Sequence, residues 1–104
     1  MRHAICYVSN ADKHLTTSEI NELLIFCEEN NSQNDIKGVL LYSEGNFFQV
    51  IEGEKEKIIG LWKKIQQDQR HYGIISVIDR SISKGSYDNY KATIIPEGEK
   101  YSPG

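Results

Sequence analysis

Tyr7, Gln49 and the adjacent pair Asn30 and Asn31 are the side chains whose types could do chemistry together. A phenol and primary amides make neither a nucleophile nor an acid–base pair. They offer hydrogen bonding in both directions: each amide carries donors and an acceptor, and the phenol is donor and acceptor in one oxygen. Gln49 is the most informative of the set. It lies in Asn46-Phe47-Phe48-Gln49-Val50-Ile51-Glu52-Gly53, a proline-free run of β-branched and aromatic residues that follows the turn-forming Ser43-Glu44-Gly45. Alternation along that strand puts Phe47, Gln49 and Ile51 on one face. A primary amide buried there costs a few kcal/mol unless its donors and acceptor are satisfied, by the fold or by a polar ligand.

The elements that must position these groups can be read along the chain. Arg2 to Ser9 reads as a strand with Ile5 and Tyr7 on one face, followed by a polar loop from Asn10 to Leu15. Thr16 caps a helix, Glu19 completes a capping box, and Ile20, Leu23, Leu24 and Cys27 recur at helical spacing until Asn30-Asn31. A strand from Ile36 to Ser43 turns into the Gln49 strand. A second helix starts near Glu54 with Ile58, Leu61, Trp62 and Ile65 on one face. Gly60 inside it costs about 1 kcal/mol relative to alanine, which points to close packing at that spot. Strands from Gly73 to Asp79 and from Tyr87 to Ile95 follow, and residues 97–104 read as a loop-like tail beyond a single domain of residues 1–96.

The order β-α-β-β-α-β-β predicts an α+β, ferredoxin-like sandwich: a mixed five-stranded sheet with both helices on one face. In that topology the first and third strands are neighbours. The Tyr7 hydroxyl then meets the Gln49 amide beneath the helices, and the asparagines arrive from the end of the first helix. Leu23 and Ile65 line an apolar slot above them. Such a slot suits a flat heteroaromatic ligand whose edge carries carbonyls and ring nitrogens. Taken singly, each residue has an ordinary role: a core tyrosine, an Asn-Asn helix stop, and a solvated Arg70-His71 after a helix.

The second sheet face raises a different expectation. Ala4, Cys6 and Val8, Val39 and Leu41, Phe48 and Val50, and Ile75 and Val77 all point away from the helices and are apolar. A sheet with one face in water alternates more cleanly. A partner subunit, another protein or elements absent from this chain are expected to cover that face.

Composition narrows the field. Twelve basic against fifteen acidic residues, without runs of like charge, give no footprint for nucleic acid or an anionic membrane. No apolar stretch approaches the ~18 residues that span a bilayer, and Met1-Arg2-His3 lacks the apolar core of a signal peptide; both favour the cytoplasm. Cys6 and Cys27 form no Cys-x-x-Cys and read as reduced thiols, and His3, His14 and His71 are too scattered for a metal site.

Five segments carry a resemblance: Tyr7-Val8-Ser9, Asn30-Asn31, Gly38-Val39-Leu40-Leu41-Tyr42, Gly45 through Gly53, and Asp68-Gln69-Arg70-His71. On them the chain resembles the BLUF domains, bacterial sensors of blue light using FAD, over roughly residues 3 to 95. The resemblance implies a flavin ring held between the two helices, with Tyr7 and Gln49 as the photoactive pair. In the family, light drives electron and proton transfer from the tyrosine to the flavin. The glutamine then rotates or tautomerises, giving a red-shifted flavin that relaxes in the dark. Asn30 and Asn31 match the ring-binding asparagine and its neighbour, and Leu23 and Ile65 match the residues that sandwich the ring. Arg70 and His71 match the ribityl-phosphate side, joined there by Lys64 and Asp68. FAD is the implied cofactor, and FMN or riboflavin would present the same ring. No catalysis is implied.

Three departures stand out. The family's Gly-Ile-Thr-Gly appears as Asp35-Ile36-Lys37-Gly38, a surface change expected to be tolerated. Tyr90 and Ala92 stand where the last strand usually carries tryptophan and methionine, which puts the output in question rather than flavin binding. The chain also stops soon after the fifth strand, where short relatives continue into helices over the outer face. It reads as an excised sensor domain or one that pairs through that face, as a homo-oligomer or with a protein partner. Two alternatives stay beside the photoreceptor reading. One is a BLUF-derived interaction module with impaired light output. The other is an acylphosphatase-like hydrolase, which would need an arginine in the loop Asn10-Ala11-Asp12-Lys13-His14 that this chain lacks.

Overall fold

The computed structural model describes residues 1–96, so the tail read at 97–104 lies outside the described residues. The elements follow the expected order: β1 (Arg2–Ala11), α1 (Thr17–Gln33), β2 (Lys37–Ser43), β3 (Asn46–Glu54), α2 (Lys55–Gln67), β4 (His71–Ile82) and β5 (Tyr90–Ile94). They form one five-stranded sheet in the order β4-β1-β3-β2-β5. All pairs are antiparallel except β2 with β5. Helix α2 packs over β1 and β3, and α1 over β2 and β5, so both helices share one face of a mixed sheet. This is the ferredoxin-like α+β sandwich.

Local chemistry explains where the elements begin and stop. Thr16 Oγ1 accepts from the Glu19 N–H (3.1 Å), and the Glu19 carboxylate accepts from the Thr16 N–H (2.9 Å), closing the capping box. The helix does not stop at Asn30-Asn31 as expected. It runs to Gln33, and Asn34 is the C-cap, its N–H bonded to the Asn30 and Asn31 carbonyls. Asp35 then takes φ 57°, the left-handed turn that often closes a helix. The asparagine pair is therefore held on a helical turn. The Gly that the family carries at the Asp35 position suits this φ, and aspartate is among the few other residues that adopt it readily.

The β2–β3 hairpin closes through Glu44 (φ 47°) and Gly45 (φ 84°) between the paired Ser43 and Asn46, a two-residue turn of the primed type. Gly38 pairs with Tyr90 across β2–β5, and a Cβ there would lie 1.9 Å from the Val50 carbonyl oxygen. Only glycine lets the backbones approach so closely.

Three strand limits also differ from expectation. β1 continues through Asn10 and Ala11 because they pair with Asn46 and His71. β4 starts at His71 and bulges twice against β1, so Ile78 rather than Val77 stands opposite Cys6, while Ile75 stands opposite Val8. β5 starts only at Tyr90, because the Ser86 and Tyr87 N–H groups turn to the buried Glu52 carboxylate instead of a strand.

The core lies between sheet and helices, built from Ile5, Tyr7, Ile20, Leu24, Leu40, Phe47, Ile51, Ile58, Trp62 and Tyr90 among others. On the opposite face Ile75 is 62% and Val77 59% exposed, with Phe48 and Ile78 each at 37%. The apolar outer surface expected from the sequence is therefore exposed at Phe48, Ile75, Val77 and Ile78, whereas Ala4 (7%) and Cys6 (5%) on β1 between those strands are buried by their neighbours.

Candidate functional site

β1 and β3 place Tyr7 and Gln49 directly opposite each other. Registered partners share a sheet face, which here is the one under the helices. Gln49 Nε2 donates to Tyr7 Oη at 2.5 Å. The other end of the same amide, Oε1, accepts from Tyr90 Oη, also at 2.5 Å. Gln49 is 3% exposed, Tyr7 3% and Tyr90 2%, so a buried phenol–amide–phenol chain links β1, β3 and β5. The buried amide is thus partly satisfied by the fold itself. Asn31 is buried on the last turns of α1 and lines the cleft above this chain.

Burial pushes both phenols well above their ordinary pKa, with the Gln49 hydrogen bond partly offsetting this at Tyr7. Both are therefore neutral donors across the physiological range. Burial likewise pushes the Cys27 thiol up to about 11, which keeps it a thiol rather than a thiolate.

Above the amide the two helices stand apart around a cleft of about 640 Å³. Leu23, Cys27, Asn30 and Asn31 line it from α1, Gly60, Leu61, Lys64 and Ile65 from α2, and Tyr7, Leu40, Phe47 and Gln49 form its floor. Asp68, Arg70 and His71 stand where α2 gives way to β4. All ten residues singled out in the sequence therefore line one cleft.

Their environments differ. The Arg70 guanidinium forks onto the Asp68 carboxylate, Nε at 2.9 Å and Nη2 at 2.5 Å, and holds that carboxyl below the usual range. Lys64 is exposed and has no hydrogen-bond or ion-pair partner among the described residues. His71 is committed at both ring nitrogens. Nε2–H donates to the Ile65 carbonyl (2.6 Å), so in the neutral ring Nδ1 accepts from Ser9 Oγ (2.7 Å). Its ring leans against Tyr7 and Phe47, with centroids 5.9 and 6.3 Å away. It braces the floor and offers the cleft no free nitrogen.

Sequence reasoning missed three contributors. Tyr90 was visible only as a departure from a family pattern; its pairing with the obligate Gly38 is the signal that could have found it. Cys27 read as part of the core stripe of α1, and the cleft exposes one side of that stripe. Gly60 was expected to mark close packing, but apart from its chain neighbours and the backbone of its own helix nothing lies within 4 Å of where its Cβ would be. It widens the cleft instead.

The donor set suits a flavin ring. Aliphatic side chains face each other across the slot, amides reach its edge from floor and wall, Gly60 leaves room, and the volume is that of a cofactor site. Among the described residues no cluster of His, Cys, Asp and Glu could hold a metal, and no helix is long and apolar enough to cross a membrane.

Comparison with known proteins agrees. The family model for sensors of blue light using FAD matches residues 3–93. Photoactivated adenylate cyclase subunit beta of Euglena longa is 31% identical over 83 residues, which are 80% of this chain and 10% of that protein. A bacterial light-regulated adenylyl cyclase superposes with a TM-score of 0.86 at 35% identity, covering 96% of this chain and 30% of that one. BlsA in its photo-activated state gives 0.80 at 33% identity, covering 93% of this chain and 72% of that one. The chain thus spans about a tenth of the first relative's length and under a third of the cyclase structure. The chain belongs to the BLUF family, the sensors of blue light that use FAD.

Proposed function

We infer that this chain is a blue-light photoreceptor domain, residues 1–96, that holds FAD non-covalently between α1 and α2 and signals through hydrogen-bond rearrangement at Tyr7 and Gln49. The observation that carries the reading is the Gln49 amide, bonded at both ends to buried hydroxyls directly beneath the cleft. BLUF domains are sensor modules without catalysis of their own, and the reading needs none.

Bound FAD supplies the absorption of blue light and a transient acceptor for an electron and a proton. The rest is the work of this chain. Tyr7, kept protonated by burial, is the donor beside the ring. Gln49 can turn end for end, exchanging donor for acceptor with no large movement. Asn30 and Asn31 bond the ring edge, and Leu23 and Ile65 flank its faces. Lys64 and Arg70 meet the anionic ribityl-phosphate side; Asp68 orients Arg70, and His71 fixes the floor beside Tyr7.

The bare face around Phe48, Ile75 and Ile78 supports a partner there, a second copy of the chain or an effector protein. Two free cysteines, Cys6 and Cys27, fit a reducing cytoplasm. Purified protein mixed with FAD and desalted tests the reading. It should stay yellow and shift reversibly to the red under blue light, whereas colourless protein refutes it.

A further inference from the structure

Phe26 lines the cleft and yet is 61% exposed. On α1 the cleft takes Leu23, Phe26, Cys27, Asn30, Asn31 and Asn34, one stripe at helical spacing. Depth is graded across that stripe. Asn31 is buried, Leu23, Cys27 and Asn30 are half-buried, and Phe26 stands out on the rim with its ring in the open.

The fold determines what faces it. Each helix runs back against the strand before it, and β1 and β3 are antiparallel, so α1 and α2 are antiparallel as well. Lys57 Nζ donates to the Asn34 carbonyl at 3.1 Å, which pins the start of α2 beside the end of α1. Lys64 lies seven residues along α2 from Lys57, and Phe26 lies eight residues back along α1 from Asn34. Both spans are about 10–12 Å of helix axis. Phe26 and Lys64 therefore stand level on opposite sides of the mouth, and Arg70, just past the end of α2, lines the same cleft.

We propose that Phe26 is the adenine-binding position of this site: the nucleobase of FAD stacks on the Phe26 ring, so the chain favours a flavin dinucleotide over a mononucleotide. This rests on the flavin-binding reading above. Buried Tyr7, Leu40, Phe47 and Gln49 close the floor, so everything beyond the flavin ring leaves through the mouth. The first phosphate meets the cations there, Lys64 and Arg70. The second phosphate and the adenosine lie further out, where Phe26 presents an aromatic face at the level of Lys64. A phenyl ring holds a nucleobase through its π-face and needs no hydrogen-bond partner to do so. FMN ends at its phosphate and leaves that ring in water.

Calorimetric titration of the flavin-free chain with FAD and with FMN tests this in wild type, Phe26→Ala and Phe26→Trp. Phe26→Ala should weaken FAD binding about tenfold and leave FMN binding unchanged, because the stack is lost from the dinucleotide alone. Phe26→Trp should bind FAD at least as tightly as wild type. Equal losses for the two flavins in Phe26→Ala, no loss for either, or an alanine-like loss in Phe26→Trp would each overturn the proposal. A second measurement needs no variant. In the wild-type complex with FAD, nuclear Overhauser effects should link the adenine C–H protons to the Phe26 ring, and their absence overturns the proposal even if the variants do not fold. Wild type that binds neither flavin defeats the flavin-binding reading, and the proposal falls with it; wild type that binds FAD without the adenine contact defeats the role of Phe26 and leaves that reading standing.

Discussion

Tyr7 and Gln49 are registered partners across the two central strands, and their side chains are joined by a buried hydrogen bond of 2.5 Å. The same amide also satisfies Tyr90, so one residue keeps two core hydroxyls paired. Gln49→Leu should leave both unpaired, at about 1–3 kcal/mol each before any gain from the added apolar side chain. Urea unfolding of the flavin-free protein checks this: the midpoint should fall, and an unchanged midpoint would contradict the stabilising role given to the two bonds.

The edge strand has its own tether. Glu28 Oε2 on α1 accepts from the Ala92 N–H of β5 at 3.0 Å. Glu28→Ala should destabilise by about 1–2 kcal/mol, a charge-assisted bond discounted for partial exposure. Amide exchange at Ala92 should quicken relative to β1 and β3, and unchanged protection there would contradict the tether.

Acid should loosen the cleft mouth. Arg70 depresses the Asp68 pKa in the folded protein, so the stabilisation is fully present above the unfolded value and lost as pH falls through the folded one. Because the pair is half exposed, it contributes no more than about 1 kcal/mol. The stability advantage of wild type over Asp68→Asn should be full above the ordinary aspartate range and shrink on acidification until the folded carboxyl is protonated. An advantage that grows on acidification would contradict the assignment.

The Tyr7–Gln49 meeting was legible in the sequence because strand alternation and the order β-α-β-β-α-β-β determine which faces and strands adjoin. Leu23 and Ile65 were legible for the same reason on helices. Alternation could not foresee the two bulges of β4, which move Ile78 into the place expected of Val77. Nor could it foresee the Tyr90 bond, which depends on the register of a parallel edge strand reached through a seven-residue link held by Glu52. Asn30-Asn31 carried the composition of a helix stop, but the stop belongs to Asn34 and the left-handed Asp35 three and four residues later than Asn31. The commitment of His71 to Ser9 and Ile65 is a tertiary fact with no local signature.

The most direct test of the switch is the absorption spectrum of FAD-loaded wild type and Tyr7→Phe, each recorded before and after blue light. Wild type should shift reversibly to the red, and Tyr7→Phe should remain yellow without the shift. A normal, reversible shift in Tyr7→Phe would contradict the role given to Tyr7 and Gln49.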